Sequence, residues 1–158
     1  MGPSPNGPLS YRSLDLNVLL VDDSPVDSLG LHVLLVDDNP LCRAMTSIVL
    51  QNLGLLVTCV NDGNNAVAAL QKQDFDVVLM DVEMSGMDGI TATVEIRQRE
   101  VLVHKYTPIV ALTSTTDRDR CFAAGMDGFI PKPLMPGDLE QIYRIVTDIR
   151  SRPNACLA

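Results

Sequence analysis

Three short apolar runs, each ending in an acidic or hydroxyl side chain, constrain this chain more than any other feature. The runs are Val33–Asp38, Val77–Asp81 and Ile109–Thr113, and Lys132-Pro133 follows them. Continuous runs of Val, Leu and Ile are typical of parallel strands that are buried on both faces. Because the C-terminal ends of parallel strands meet at one edge of a sheet, where open α/β sheets place their sites, the pattern predicts a shared site.

The chemistry of that site follows from the residue types. Asp37, Asp38 and Asp81 supply carboxylates, Thr113 a hydroxyl and Lys132 an ammonium group. Crowded carboxylates repel one another, so the group favours a divalent cation. An anion that binds the same cation, such as phosphate, would complete the site.

Composition limits the class of protein. The chain has 158 residues, enough for one domain, and its 46% hydrophobic but only 4% aromatic content predicts an aliphatic core. The formal net charge of -8 would repel nucleic acid, so we expect no direct nucleic-acid partner. No apolar run reaches the roughly 18 residues of a membrane span, and the N-terminus does not resemble a signal peptide.

The cysteines indicate a compartment. Cys42, Cys59, Cys121 and Cys156 have no zinc or C-x-x-C spacing. The first three lie in predicted elements, where we expect reduced core thiols. This usage indicates a reducing compartment, the cytosol or the nucleus.

A duplicated segment precedes the predicted domain. Leu16–Pro25 is nearly copied by Leu31–Pro40. The second copy is the better first strand, because Asn39 can cap the amphipathic helix that Pro40 begins. The first copy is followed only by Val26–Gly30, which is too short for a crossover helix.

Several roles stay open for the first copy, which is not needed as the first strand. It could add to a sheet edge, lie on a partner, exchange with its twin in a swapped dimer, or be a duplication without a role. The predicted organisation is an extension at 1–30, a domain at 31–150 and a tail at 151–158.

Strands and helices are predicted to alternate after the second copy, which indicates an α/β fold with a parallel sheet. Thr116 is the predicted cap of the fourth helix. The later strands are predicted at Leu56–Val60, Val77–Met80, Ile109–Leu112 and Gly128–Ile130, and the later helices at Asn65–Gln73, Gly89–Arg99, Asp117–Ala124 and Pro136–Arg150.

Two further motifs join the acidic set. Leu79–Gly89 looks like the signature D-x-x-M-P-x-M-D-G, and Ala123–Phe129 looks like A-G-A-D-G-Y/F. With Asp37-Asp38, Asp81 and Lys132-Pro133, the stretch from residue 31 to 150 resembles the receiver domain of two-component response regulators. The resemblance implies a doubly wound, CheY-like sheet of five parallel strands in the order 2-1-3-4-5.

The resemblance also implies roles for the acidic residues. Asp81 would be the phosphoacceptor, attacking a phosphoryl group carried by a histidine of a partner protein. Asp38, Asp81 and the backbone carbonyl of Glu83 would bind Mg²⁺ directly, and Asp37 would act through water.

The remaining roles concern the conformational switch. The resemblance implies that Lys132 pairs with Asp81 and later with the phosphoryl oxygens, and that Thr113 moves toward the phosphoryl group. Phe129 would turn inward behind Thr113. The Lys132-Pro133 peptide would be cis, and Ser85 stands where the family usually has proline.

We expect a stand-alone receiver in a phosphorelay, because the predicted last helix ends close to the C-terminus. It most resembles plant receiver-only regulators of the cytokinin type. The expected partner is a histidine-containing phosphotransfer protein or a histidine kinase, and we expect no membrane partner. The chain itself is expected to be a monomer or a weak dimer. We expect no catalysis beyond its own phosphorylation and dephosphorylation. The alternatives are an interaction module that is never phosphorylated, and an aspartate-nucleophile phosphatase, which would need a D-x-D motif where Asp81-Val82-Glu83 stands.

Overall fold

Five parallel strands form a single sheet in this computed structural model, which describes residues 30–114 and 116–152. The strand order is β2-β1-β3-β4-β5, so the predicted fold class and topology are confirmed. The strands are β1 (His32–Val36), β2 (Leu56–Val60), β3 (Val77–Met80), β4 (Ile109–Thr113) and β5 (Gly128–Pro131). The second copy of the duplicated segment therefore supplies β1, an interior strand of the sheet, while the first copy lies outside the described residues.

Within these described residues, five α-helices connect and cover the strands. They are α1 (Pro40–Asn52), α2 (Gly63–Lys72), α3 (Gly89–Val103), α4 (Arg118–Ala124) and α5 (Leu139–Arg150). Helix α3 runs four residues beyond the predicted end at Arg99 and stops where His104 takes a left-handed conformation. The buried Glu100 anchors this last turn, because it pairs with Arg97 and accepts from the N–H of Thr107. The predicted single helix from Pro136 begins instead as a 3-10 turn, Pro136–Asp138.

Side-chain caps define where the helices begin. Asn39 accepts hydrogen bonds from the backbone N–H groups of Leu41 and Cys42, as predicted. The predicted cap Thr116 is wrong, because the carboxylate of Asp117 accepts from the N–H of Arg120 and takes the capping position. An acidic cap is also favourable because the N-terminal end of a helix carries partial positive charge.

The three inner strands of the sheet, β1, β3 and β4, bury both of their faces. In β1, Val33 and Leu35 pack on the side of α1 and α5, whereas Leu34 and Val36 pack on the side of α2, α3 and α4. All four side chains are fully buried. This explains why β1 is a continuous apolar run rather than an alternating one.

Position in the sheet decides the environment of the cysteines. Cys121 is a buried core residue as predicted, but Cys42 is only half-buried and Cys59 is exposed. Cys59 lies on β2, an edge strand that lacks a neighbour on one side within the described residues, so its prediction as a core thiol is wrong. Within the same residues, no helix is long and apolar enough to span a membrane.

A buried ionic network joins α3 to the strands that follow it. The guanidinium group of Arg97 donates to the carbonyl oxygens of Gly125 and Thr107 at 2.9 and 2.8 Å. It also pairs with Glu100 at 2.6 Å and Asp127 at 2.8 Å. Asp127 in turn accepts from the N–H of Ile109. The network ties α3 to the start of β4 and to the loop before β5. No pattern in the sequence indicates this network, because its members are far apart along the chain.

Candidate functional site

Three carboxylates meet at the C-terminal edge of the sheet. Asp37 and Asp38 follow β1, and Asp81 follows the neighbouring strand β3. One carboxylate oxygen from each lies within 4.8 Å of the other two. Asp37 and Asp81 are buried, and Asp38 is half-buried. The structure thus brings together the acidic group that the strand pattern predicted, with one member open to solvent.

Lys132 connects two of these carboxylates. Its Nζ donates to Oδ2 of Asp37 at 2.9 Å and to Oδ2 of Asp81 at 3.1 Å. Its backbone N–H donates to the carbonyl oxygen of Thr113 at 3.0 Å, and its peptide bond to Pro133 is cis, as the resemblance implied. The end of β4 therefore positions the ammonium group of Lys132 over the acidic pair.

The charged side chains of the cluster alter one another's pKa values. Burial raises the pKa of Asp81, the hydrogen bond and charge of Lys132 lower it in part, and the nearby Asp37 raises it again. Burial by itself would lower the pKa of Lys132, but the two carboxylates outweigh that effect and raise it. Lys132 therefore stays charged, while Asp81 would gain from a further positive charge that favours its ionised form.

Local hydrogen bonds fix the orientation of Asp37. Its Oδ1 accepts from the N–H of Asn39 at 2.9 Å, and its backbone carbonyl accepts from Arg43 at 2.7 Å. Both partners belong to the beginning of α1. The helix cap and the site therefore share one turn of chain.

Ser85 is a site residue that sequence analysis did not recognise. Both its backbone N–H and its hydroxyl donate to Oδ2 of Asp38, at 2.9 and 3.1 Å. A proline at this position would supply neither donor. Sequence comparison with the family motif marked Ser85 only as a departure. The serine in place of the family's proline was the available signal. The contact between Ser85 and Asp38, 47 positions earlier, was not predictable from the sequence.

The other predicted residues lie around the cluster. The side chain of Glu83 is exposed, and its N–H donates to Oδ1 of Asp81 at 3.3 Å. Thr113 is fully buried at the end of β4. Phe129 on β5 is half-buried, and the guanidinium carbon of Arg118 lies 5.3 Å from its ring centre. The structure places Glu83 beside Asp81, whereas the switching roles of Thr113 and Phe129 stay predictions.

The acidic cluster suits Mg²⁺. All of its side-chain donors are carboxylate oxygens, the ligand type that Mg²⁺ prefers, and a few protein ligands completed by water is its usual coordination. Within residues 30–114 and 116–152 no other group of three potential ligands comes together. Asp38 is partly open to solvent, which leaves room for the waters that Mg²⁺ retains.

Ser85 should act on metal affinity through Asp38. Because hydrogen bonds that orient a ligand commonly contribute about 10- to 100-fold to metal affinity, we expect Ser85→Ala to weaken Mg²⁺ binding by about 10-fold, and Ser85→Pro to weaken it further. Calorimetric titration with Mg²⁺ measures this, with Asp38→Asn as the reference for a lost ligand. Ser151→Ala is the matched control, because Ser151 also loses a hydroxyl hydrogen bond but lies at the end of α5. Unchanged affinity in both Ser85 variants would contradict a role for Ser85 in orienting Asp38.

Comparison with known families decides the identity of the domain. The response regulator receiver domain matches residues 33–144, most of the described chain. The chain belongs to this family. As a receiver domain it is a module of two-component phosphorelay signalling.

Solved structures agree with this assignment. The receiver domain of the sensor histidine kinase PA1611 from Pseudomonas aeruginosa is 36% identical, covers 75% of this chain and 98% of its own, and superposes with a TM-score of 0.65. That structure holds a magnesium ion in its active site cleft. The chemotaxis response regulator CheY4 of Vibrio cholerae is 35% identical over 73% of this chain and 98% of its own, with a TM-score of 0.64.

Curated relatives are much longer proteins. Probable histidine kinase 6 of rice (Oryza sativa subsp. japonica) is 34% identical over 90% of this chain, which spans 15% of that kinase. The sensor protein GacS of Pseudomonas syringae pv. syringae is 39% identical over 85% of this chain, which spans 14% of that protein. The receiver therefore resembles the receiver portions of histidine kinases, including plant kinases. The receiver-only, cytokinin-type resemblance stays a prediction.

Proposed function

We propose that this receiver domain accepts a phosphoryl group on Asp81 from a phosphohistidine of a histidine kinase or a phosphotransfer protein. The observation that carries the proposal is the pairing of a buried carboxylate, Asp81, with Lys132 inside a cluster that also contains Asp37 and Asp38. A carboxylate is a competent nucleophile for making an aspartyl phosphate. The family assignment supports the reaction class.

In the proposed transfer, a carboxylate oxygen of Asp81 forms a bond to phosphorus while the bond between phosphorus and the donor's imidazole nitrogen breaks. Lys132 already contacts Asp81 and would exchange that contact for a phosphoryl oxygen, so positive charge stays on the transferred group. Mg²⁺, when held by Asp38, Asp81 and the carbonyl of Glu83 with Asp37 acting through water, would neutralise negative charge on the phosphoryl oxygens. Asp37 holds Lys132 in place from the other side.

The proposed response to phosphorylation runs through β4. Thr113 ends β4, and its carbonyl oxygen accepts from the N–H of Lys132, so the two residues share one contact at the site edge. We propose that the hydroxyl of Thr113 moves toward the phosphoryl group and that Phe129 turns inward into the space behind it. Ala111 pairs with Phe129 across β4 and β5, which makes Phe129 sensitive to a shift in β4.

Phosphotransfer from a protein donor tests the proposed function. Wild-type protein, Asp81→Asn and the control Asp119→Asn are each mixed with a phosphorylated histidine-containing phosphotransfer protein and Mg²⁺. Asp119 is an exposed acid on α4, remote in sequence from the cluster. We expect phosphate on wild type and on Asp119→Asn, and none on Asp81→Asn. Transfer to Asp81→Asn at the wild-type level would contradict the assignment of Asp81.

A protein donor needs a docking face beside the site, and helix α1 offers one. Three of its apolar side chains point into solvent, with exposed fractions of 68% for Leu41, 57% for Met45 and 56% for Ile48. Their spacing places them on one stripe of the helix, which begins directly after Asp37-Asp38. We propose that the phosphohistidine donor protein covers this stripe, because a donor histidine that reaches Asp81 brings the surrounding surface of its protein next to the start of α1.

Docking on α1 predicts a difference between protein and small-molecule donors. Met45→Ser should reduce the rate of transfer from a phosphotransfer protein by about 10-fold, the equivalent of about 1.4 kcal/mol of lost apolar contact, and leave phosphorylation by acetyl phosphate unchanged. The matched control is Leu102→Ser, because Leu102 is an exposed apolar residue near the opposite end of the sheet. An equal effect of Met45→Ser with both donors would show that the substitution disturbs the site rather than docking.

A further inference from the structure

The outer edge of β2 presents backbone groups that face away from the sheet. The N–H of Leu56 donates to the carbonyl of Leu31 beside it, and the carbonyl of Val60 accepts from the residue that follows β1. Because backbone groups alternate along a strand, Leu56, Thr58 and Val60 bond toward β1. The N–H and C=O groups of the intervening residues, Val57 and Cys59, therefore point outward.

That edge has none of the usual protection against strand pairing. The strand reads Leu-Val-Thr-Cys-Val without a charge or a proline, Leu56 is 60% exposed, and Cys59 is exposed as well. The opposite edge strand, β5, is four residues long and ends in Pro131. Short length and proline are common ways to block an edge. Within residues 30–114 and 116–152, no strand covers the outer edge of β2.

We propose that Leu16–Val21, the first copy of the duplicated segment, pairs antiparallel with the outer edge of β2 in the same molecule as a sixth strand. The segment Leu-Asn-Val-Leu-Leu-Val repeats the residues that form β1, apart from Asn17 in place of His32. Its Val and Leu side chains suit a strand and would cover the exposed Leu56. An antiparallel edge strand on an otherwise parallel sheet is a common arrangement.

The length of the link to β1 decides the direction of the added strand. The eight residues Asp22–Leu29 join the segment to Gly30, where the described chain begins at the N-terminal edge of the sheet. An antiparallel strand would end at that same edge, two strand spacings or about 10 Å from β1, well within the roughly 26 Å that eight residues span. A parallel strand would need a crossover of about a dozen residues.

The β1 position itself is better filled by the second copy. Asn39 and Pro40 lead from β1 directly into α1, whose Thr46 and Leu50 are buried in the core. If Leu16–Val21 took that position, the second copy and its link would have to be looped out before α1. The second copy therefore keeps β1, and the first copy is free to pair with the edge.

Residue-resolved amide exchange by NMR on the full chain tests the proposal. The test variant is Leu20→Pro, which removes a backbone N–H and disfavours a strand, and the control is Leu9→Pro, which makes a similar change in the Pro/Gly/Ser-rich stretch outside the segment. We expect the amides of Val57 and Cys59 to exchange at least about 10-fold more slowly in wild type and Leu9→Pro than in Leu20→Pro. The amide of Leu79 in the interior strand β3 should exchange equally in all three.

Three results would overturn the proposal. Equal exchange at Val57 and Cys59 in wild type and Leu20→Pro would show that the segment does not pair with this edge. Protection that depends on protein concentration, with a dimer mass by sedimentation, would show pairing with a second copy of the chain. Wild-type Mg²⁺ affinity in Asp38→Asn that is lost when Asp22→Asn and Asp23→Asn are added would show that the first copy fills the β1 position and the metal site. A second variant, Leu20→Asp, guards against an effect peculiar to proline and should match Leu20→Pro.

Discussion

Gly89→Ala should destabilise the domain by about 3 kcal/mol or more, because the added methyl group has no space at this position. It would overlap the carbonyl oxygen of Asp81 and lie 2.9 Å from the Cα of Val82. Neither atom can move without moving the loop that follows β3. The start of α3 therefore packs directly on the backbone of the proposed phosphoacceptor, and only glycine permits that approach. Urea unfolding followed by circular dichroism measures the loss.

The same substitution should also impair the site. Moving α3 away from the loop shifts Asp81 relative to Lys132, so the folded fraction of Gly89→Ala should be phosphorylated more slowly than wild type. The control is Gly137→Ala, where no atom lies within 4 Å of the added methyl group. Stability of Gly89→Ala within about 0.5 kcal/mol of wild type would contradict the close packing of α3 on Asp81.

Arg97→Met should cost about 3–5 kcal/mol, because it leaves Asp127 and Glu100 buried without their cationic partner. The side chains in this network are only 10–15% exposed. Within this network, Asp127 also accepts a hydrogen bond from the N–H of Ile109, the first residue of β4, which ends in Thr113. The loss should therefore appear in the free energy of unfolding.

Arg99→Met provides the comparison two residues further along the same helix. Arg99 pairs with Glu95, but their side chains are 50% and 34% exposed. An exposed pair contributes about 0–1 kcal/mol, so this variant should remain close to wild type. Denaturant titrations of the two variants in parallel measure the difference. Equal losses from Arg97→Met and Arg99→Met would contradict the distinction between the buried network and the surface pair.

The sequence was sufficient to predict those features that depend on local pattern and on sheet geometry. Val33–Val36 and Val77–Met80 are continuous apolar runs, and parallel pairing necessarily brings Asp37 and Asp81 to one edge. The cap Asn39 was likewise predictable from residue type, because its contacts lie within three positions. Local signals of this kind do not depend on contacts with residues that are distant in the sequence.

Other features depend on distant side chains and were not predictable. The donors of Ser85 reach an acid 47 positions earlier, and Arg97 reaches Asp127 30 positions later. No periodicity encodes such contacts. Cys59 was assigned to the core because its strand was recognised, but its exposure depends on β2 being an edge strand, which the run of residues itself does not reveal.

The most direct measurement of the central claim is the intact mass of the protein after incubation with acetyl phosphate, with Mg²⁺ or with EDTA. Acetyl phosphate needs no protein partner, so the result depends only on Asp81, its neighbours and the ion. We expect a single phosphate adduct on wild type with Mg²⁺, and none with EDTA or on Asp81→Asn. An adduct that persists in Asp81→Asn, or that forms equally well in EDTA, would contradict it.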